Sequence, residues 1–341
     1  MRFSTVRRAA IGLLMSAMLT AGAEGQTKLT GQSAMKFLSI GVGARPAALG
    51  YSFVTNGDDI ASVYWNPAGI ARLSGTRAFV DVNQWISGIK QFSFAATQDL
   101  GDIGVVGLSA SMMDYGDIPG TAIELSAVGS GSFEYVETGP VKVANYVVGI
   151  TFARAISAEF SVGGQVKYVY SGLGTNTIVT AGSQETIDNT VSTLAFDFGT
   201  TYKTDFRGLT FSMALRNFSR EIRYPRMTQG FYLPLVFTLG FSIDAVRVFD
   251  PENEAHSLVV SVSGQHPTDY LEKASIGAEY AFQGQYFLRA GYKINYSIEN
   301  FSFGLGARVP FGGAEALQFD YAYSIMKYFD GVHRISIGVV L

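Results

Sequence analysis

Hydrophobic and polar positions alternate along most of the chain after Gly75. In the segment 285–297, for example, every second position carries Tyr, Leu, Ala or Ile, and the positions between are mostly Arg, Gly, Lys and Asn. A period of two predicts β-strands, because successive side chains of a strand point to opposite faces. Segments of about ten residues with one apolar face and one small or charged face are typical of transmembrane β-barrels.

About fourteen such segments follow one another, and no amphipathic helix is predicted among them. The predicted class is therefore all-β, a transmembrane antiparallel β-barrel of about 14 strands. The predicted strands lie near 77–86, 90–98, 103–114, 143–155, 158–171, 190–203, 209–219, 234–247, 256–266, 271–282, 285–297, 300–310, 315–327 and 333–341.

The lengths of the connections support this count. The three longest connections, 115–142, 172–189 and 220–233, all follow odd-numbered strands, whereas most connections after even-numbered strands are short. Long extracellular loops and short periplasmic turns alternate in this way in outer-membrane barrels, so both ends of the barrel are expected on the periplasmic side. The alternating piece Ser132–Val136 predicts a small hairpin inside the first long loop. The last segment alternates as far as Leu341, as expected of a strand that closes a barrel.

The N-terminus has the pattern of a secretory signal peptide. Arg2, Arg7 and Arg8 precede an apolar run that is too short to span a membrane, and Ala21-Gly22-Ala23 resembles a cleavage site. We therefore expect a signal peptide at 1–23 that is cleaved after Ala23, a segment at 24–76 rich in Gly, Pro and Ala, and a barrel at 77–341. The expected location is the outer membrane of a Gram-negative-type bacterium.

Composition excludes several classes of function. The net charge of −3 argues against a nucleic-acid partner, and the absence of cysteine leaves neither disulfides nor thiolate metal sites. The three histidines, His256, His266 and His333, have no neighbouring His or Cys, so metal-ligand spacing is missing. No catalytic residue, metal site or cofactor is predicted, and the protein is not expected to be an enzyme.

Charged residues occur at isolated positions on the inward face of the predicted strands. Their first interpretation is a selective polar pathway, and the second, which we favour, is that a barrel interior has to pair its charges across strands. These lumen-facing candidates are Lys273, Glu279, Arg289, Lys293, Arg308 and Asp320.

The segment before the first strand carries a two-part motif, GARPAALG at 43–50 and DDIASVYWNPAG at 58–69. This motif resembles the PorV/PorQ family of outer-membrane barrels, which is related to the FadL-like transporters of long-chain fatty acids and hydrocarbons. The resemblance implies a fourteen-stranded barrel with an N-terminal hatch of short helices and turns inside its lumen.

Several residues of the motif are candidates for holding or gating the hatch. Asp58 and Asp59 are placed to cap a helical piece starting near Ile60, and one of them is placed to pair with Arg45. Trp65 is suited to wedge the hatch against the wall, and the turn at 66–69 combines a fixed proline φ with an asparagine that can bind backbone amides. A purely structural role is the alternative for each. The candidates are Arg45, Asp58, Asp59, Trp65, Asn66, Pro67 and Gly69.

The resemblance implies one of two non-enzymatic functions. A PorV-like member serves type IX secretion, binding secreted proteins with a C-terminal signal domain or other secretion-system subunits. A FadL-like member admits hydrophobic small molecules past the hatch, and this function predicts an apolar pocket between hatch and wall. Outer-membrane lipid is an expected partner in both cases. We favour the first function, and a generic porin is less consistent with a hatch that obstructs the lumen.

Overall fold

The computed structural model describes residues 32–125, 133–180, 183–206 and 208–341. It is a closed antiparallel barrel of fourteen strands, with a small two-stranded hairpin outside the barrel. The expected signal peptide, 1–23, and residues 24–31 lie outside the described residues.

The strands are numbered β1–β16 along the chain, and β4 with β5 forms the hairpin. The barrel strands are β1 Thr76–Gln84, β2 Lys90–Asp99, β3 Val105–Asp114, β6 Ala144–Ala155, β7 Phe160–Thr180, β8 Ser183–Lys203, β9 Thr210–Ser219, β10 Val236–Asp244, β11 His256–Pro267, β12 Lys273–Phe282, β13 Tyr286–Ile294, β14 Glu299–Phe311, β15 Ala314–Met326 and β16 Val332–Val340. The hairpin consists of β4 Pro119–Leu125 and β5 Phe133–Pro140.

The barrel closes between its first and last strands. β1 pairs with β16 from Arg77 opposite Val340 to Gln84 opposite His333, and the amide of Leu341 donates to the carbonyl of Thr76 over 2.8 Å. Closure leaves no unpaired sheet edge, which a membrane-spanning barrel requires. We call the end where β1 begins and β16 ends the lower end, and the opposite end the upper end.

The two faces of the wall differ as the alternation predicts. Leu288 is 57% exposed on the outside, whereas its neighbour Arg289 is 4% exposed on the inside, and Ile276 and Ser275 differ in the same way. Large apolar side chains therefore cover the outer surface, and small or charged side chains line the lumen. This arrangement suits a barrel whose outer surface faces hydrocarbon.

Residues 32–75, which we call the hatch, lie inside the barrel. Short helical pieces make up the hatch because glycines and prolines interrupt it every few residues. These pieces are the α-helix Ala44–Ala48 and the 3₁₀ helices Lys36–Ser39, Ile60–Tyr64 and Pro67–Ile70. The buried core of the hatch includes Phe53, Val63, Trp65 and Ile70 and continues onto the wall at Phe79.

In the described ranges, three further short helices lie outside the hatch. They connect strands at the two ends of the barrel, as the 3₁₀ helices Ile86–Gly88 and Gly101–Ile103 and the α-helix Ala245–Phe249. Among the described residues, no helix is both long and apolar enough to cross a membrane.

Two connections differ from the prediction. The predicted loop 172–189 is largely strand. After a register shift between Gly172 and Thr175, β7 and β8 pair again from Thr175 opposite Asp188 to Thr180 opposite Ser183. The predicted strand 234–247 ends at Asp244, whose side chain caps the following helix by accepting from the amides of Val246 and Arg247. The hairpin predicted in the first long loop is present as β4 and β5.

Candidate functional site

The turn Asn66–Gly69 of the hatch sits in a notch of the wall. Gly163 of β7 pairs with Gly199 of β8, and both lack the side chain that would fill this space. A Cβ atom on Gly199 would lie 1.9 Å from Oδ1 of Asn66, and one on Gly163 would lie 2.5 Å from the amide nitrogen of Ala68. The two glycines therefore allow the hatch backbone to touch the wall.

Asn66 connects this turn to both the hatch and the wall. Its Oδ1 accepts from the amide of Ala68, and its Nδ2 donates to the carbonyl of Val54 over 2.8 Å and to Oγ1 of Thr201 over 3.1 Å. The side chain is fully buried, so its donors and acceptor are all matched inside the protein. Pro67 begins the next 3₁₀ helix, where its missing N–H is not needed. A Cβ on Gly69 would lie 2.7 Å from the carbonyl oxygen of Asn56, so this turn also packs closely inside the hatch.

A second notch receives the end of the helix Ala44–Ala48. Gly50, at φ +62°, approaches Gly291 of β13 so closely that a Cβ on Gly291 would lie 2.1 Å from the amide nitrogen of Gly50. Gly277 of β12 is paired with Gly291, and a Cβ there would lie 2.7 Å from the carbonyl oxygen of Leu49. The hatch thus contacts two separate parts of the wall through backbone.

Arg45 joins the two acidic residues of the hatch to the wall. Its Nε and Nη2 donate to the two oxygens of Glu279 over 2.7 and 2.6 Å, a bidentate contact with β12. Its Nη1 lies 3.1 Å from both Asp58 and Asp59. Arg45, Asp59 and Glu279 are buried, whereas the side chain of Asp58 is 61% exposed. Water therefore weakens the contribution of Asp58 much more than that of Asp59.

The ion pairs continue along the wall. Nε of Arg289 donates to Glu279 over 2.5 Å, and its Nη1 donates to Asp320 over 2.6 Å. Arg308 reaches Asp320 only through Gln318, which accepts from Arg308 over 2.9 Å and donates to Asp320 over 2.7 Å. The structure thus brings Arg289, Arg308, Glu279 and Asp320 together with the hatch residues in one network.

The charges of the network change the titration of the hatch carboxyls. Desolvation raises the pKa of Asp59, and the opposing charge of Arg45 does not fully offset it. Although the hatch and the wall surround Asp58, its carboxylate is exposed to water, and the charges of Arg45 and Arg308 lower its pKa to about 2. The carboxylates in turn outweigh the desolvation of Arg45 and raise its pKa well above the usual value.

Lys273 and Lys293 lie outside this network, nearer the upper end. Nζ of Lys293 donates to Glu299 over 2.5 Å and lies 3.5 Å from the centre of the Tyr51 ring. Nζ of Lys273 lies 4.7 and 4.6 Å from the ring centres of Tyr270 and Tyr296. Both lysines therefore contact aromatic faces, which attract cations.

Trp65 packs within the hatch and against one wall residue. Its Nε1 donates to the carbonyl of Val42 over 2.9 Å, and its ring lies 5.1 Å from that of Tyr51. Arg216 of β9 stacks on the indole at 4.9 Å and donates to the carbonyl of Tyr64. Trp65 thus contacts β9 through Arg216.

The upper half of the lumen contains an apolar cluster. Met35 and Phe37 of the hatch pack there against the inward faces of β3, β6, β7 and β8 and against the loop after β9. A cavity of about 290 Å³ lies beside this cluster and is lined by Leu38, Ile40 and Trp65 together with tyrosines and lysines. The buried members of the cluster are Ala34, Met35, Phe37, Met113, Val147, Val169, Val191, Ala195, Ile222 and Leu233.

Several residues that matter here carried little signal in the sequence. Gly163, Gly199, Gly277 and Gly291 look like ordinary lumen-facing glycines, because the alternation does not show which ones touch the hatch. Arg216 was also missed, since it lies at a break in strand pairing where β8 and β9 shift register between Phe196 and Phe198. Within the described residues, no group of three or more His, Asp or Glu side chains could hold a metal ion.

Replacing Asp59 with alanine should loosen the hatch. The variant loses the cap on the amide of Ala61 as well as the buried contact with Arg45. Loss of a helix cap alone lowers stability by about 1 kcal/mol. We expect faster proteolysis within the hatch and a higher conductance in planar bilayers. The matched control is Asp58→Ala, whose exposed carboxylate should matter less. Equal behaviour of the two variants would contradict this prediction.

Comparison with solved structures finds the same fold in outer-membrane channels. The monoaromatic hydrocarbon channel CymD aligns with a TM-score of 0.55 and 11% identity over 90% of this chain and 97% of its own. The toluene transporter TbuX of Ralstonia pickettii aligns with a TM-score of 0.53 and 16% identity, over 88% of this chain and 97% of its own. A FadL homologue of Pseudomonas aeruginosa aligns with a TM-score of 0.53 and 12% identity, over 87% of this chain and 97% of its own. This chain has the FadL-type fold.

The FadL-type fold confirms the predicted class, a transmembrane antiparallel barrel of fourteen strands with short helices and turns in its N-terminal segment. Protein-family models and curated protein sequences give no match to the chain.

Proposed function

We propose that this protein is an outer-membrane channel for hydrophobic small molecules, gated by its N-terminal hatch. Its location would be the outer membrane of a Gram-negative-type bacterium. The FadL-type fold and the apolar outer surface support a membrane location. The similarity to a hydrocarbon channel and a toluene transporter supports a hydrophobic cargo.

The observation that carries the proposal is the difference between the two halves of the lumen. In the lower half, glycine contacts and buried ion pairs join the hatch to β7, β8, β12 and β13. In the upper half, Met35 and Phe37 present apolar side chains to an apolar wall beside a cavity of about 290 Å³. The apolar cluster offers contact surface to a hydrophobic cargo, and charged side chains such as Lys36, Asp269 and Glu299 line the rest of the cavity beside it.

The secretion role that the resemblance favoured has no support from these comparisons. The solved structures named above are a hydrocarbon channel, a toluene transporter and a FadL homologue. Membership of the PorV/PorQ family therefore remains a prediction, as do the signal peptide and the boundaries at 23 and 76. The alternation, the hatch and the absence of enzyme motifs fit the channel function equally well.

Uptake of labelled toluene and of a labelled long-chain fatty acid tests the proposal. Cells of a Gram-negative host that lacks such channels should take up at least one of these probes faster when they produce the protein. The variant Phe37→Asn places a polar side chain in the apolar cluster and should lower that uptake. The control Leu100→Asn, at an exposed position in the turn between β2 and β3 at the lower end, should behave as the unmodified protein.

Two results would overturn the proposal. The first is uptake of neither probe by cells in which the barrel is inserted, as shown by its heat-dependent mobility in gels. The second is co-purification of secreted proteins that share one C-terminal domain, without bound lipid, which would return the secretion role to first place. Uptake that is the same for Phe37→Asn and the unmodified protein would place the route outside the apolar cluster and contradict the mechanism.

A further inference from the structure

The cavity of about 290 Å³ beside the apolar cluster, which we call the upper cavity, has an apolar part. Leu38 and Ile40 of the hatch and Val236 at the start of β10 line this part, and Trp65 and Trp85 also line the cavity. An apolar cavity of about 150 Å³ is large enough to hold benzene. The upper cavity therefore has room for one substituted aromatic ring, and its own rings can pack against that ring by their faces or edges.

Among the described residues, two carboxylates line the upper cavity, and each has a lysine of its own. Asp269 forms an ion pair with Lys36. Glu299 forms one with Nζ of Lys293 over 2.5 Å. The negative charges of the lining are thus already compensated. All charged residues of the lining are Lys36, Arg216, Asp269, Lys273 and Glu299.

Two cations of the lining, Arg216 and Lys273, have no such partner. In the described part of the chain, neither has a carboxylate within 4 Å. Arg216 stacks on the indole of Trp65 at 4.9 Å, and Nζ of Lys273 lies 4.7 Å from the ring centre of Tyr270 and 4.6 Å from that of Tyr296. An ammonium has three N–H donors, and within the described residues none of those on Lys273 is used in a hydrogen bond to protein. Lys273 can therefore donate to a ligand in the cavity.

This lining selects for an anion with an apolar body. Low-dielectric walls focus the field of an uncompensated positive charge into a cleft, so the upper cavity attracts anions. A carboxylate accepts strong, charge-assisted hydrogen bonds from both an ammonium and a guanidinium. An apolar part and a cationic part in one cavity of this size fit a small molecule that combines a ring with a carboxylate.

We propose that the upper cavity binds an aromatic carboxylate, with the ring beside Leu38 and Ile40 and the carboxylate on Nζ of Lys273. The charge of Arg216 adds to the attraction. A neutral hydrocarbon lacks the group that Lys273 recognises and should bind more weakly. That such a ligand is also the cargo rests on the proposed channel function, whereas binding to the purified protein does not depend on transport.

Intrinsic fluorescence tests the site, because the chain has two tryptophans, Trp65 and Trp85, and both line the upper cavity. The full chain is purified in a non-ionic detergent and titrated with para-toluate and with para-toluamide, a neutral molecule of nearly the same shape. We expect a saturable change of fluorescence with para-toluate. We expect para-toluamide to bind about tenfold more weakly, since hydrogen bonds to charged groups are stronger than neutral ones.

The variant Lys273→Met keeps an unbranched side chain but removes the charge. Its affinity for para-toluate should fall to that for para-toluamide, and its affinity for para-toluamide should stay unchanged. The matched control is Lys203→Met, exposed at the lower end of β8 and far along the barrel from the upper cavity. This control should bind both molecules as the unmodified protein does. Heat-dependent gel mobility selects the folded variants.

Equal binding of para-toluate and para-toluamide by the unmodified protein overturns the proposal, and this comparison does not depend on the folding of any variant. The proposal is also overturned if Lys273→Met binds para-toluate normally, or if Lys203→Met loses as much affinity. Tighter binding of decanoate than of para-toluate would show a site for alkyl chains and would equally overturn it. Normal binding of para-toluate without any uptake by cells would support the site and contradict the channel function.

Discussion

Replacing Arg45 with leucine should release the hatch from the wall and convert a closed barrel into a conducting pore. Glu279 keeps its contact with Arg289, but Asp59 loses its ion pair, the one it makes within the described part of the chain, while it stays buried. Removing one partner of a buried ion pair typically costs about 3–5 kcal/mol, because the remaining charge is uncompensated. That cost is a large share of the free energy that keeps a short segment bound to the wall. The hatch should therefore spend less time in its bound position inside the barrel.

The measurement is single-channel conductance in planar bilayers, together with sensitivity of cells to an antibiotic that is normally excluded. Arg45→Lys is the matched control, because it keeps the charge but cannot make the bidentate contact with Glu279. Its conductance should fall between those of Arg45→Leu and the unmodified protein. The double variant Arg45→Leu/Asp59→Asn removes the stranded charge and should conduct less than Arg45→Leu. A double variant that conducts more would show that the stranded charge is not the cause.

Replacing Gly199 with valine should prevent the hatch from seating at all. The new Cβ would lie 1.9 Å from Oδ1 of Asn66, and that side chain cannot move without breaking its bonds to Val54 and Thr201. The barrel itself should survive, because valine is favoured in strands. We therefore expect a folded barrel with an open lumen and an exposed hatch.

Gly164→Val is the control for this variant. Gly164 is the next residue after the notch glycine Gly163 and points to the outer face, where a Cβ would meet no atom closer than 3.8 Å. Limited proteolysis followed by mass spectrometry should find cleavage within 32–75 in Gly199→Val and not in Gly164→Val. Protection of the hatch in both variants would mean that the wall yields at this notch and that the close contact does not decide where the hatch sits.

The motif residues show how far local pattern reaches. Asp59 before Ile60 and Asn66 before Pro67 have the residue types and spacing of helix caps, and both accept from the amide two residues later. The pairing of Arg45 with the acidic residues of the hatch also follows from one short segment. Its stronger contact, with Glu279, joins residues that are 234 positions apart. Neither residue's own surroundings in the sequence indicate the other.

The sequence by itself determined the strands, their two faces, their number and the position of the hatch before β1. Those features depend on period two and on turn residues, which are properties of neighbouring positions. The tertiary structure decided which glycines receive the hatch and which carboxylate binds Arg45. Those features depend on how far each strand is shifted against the next when the barrel closes. A single pair of strands does not set that shift, because closure of all fourteen strands fixes it together.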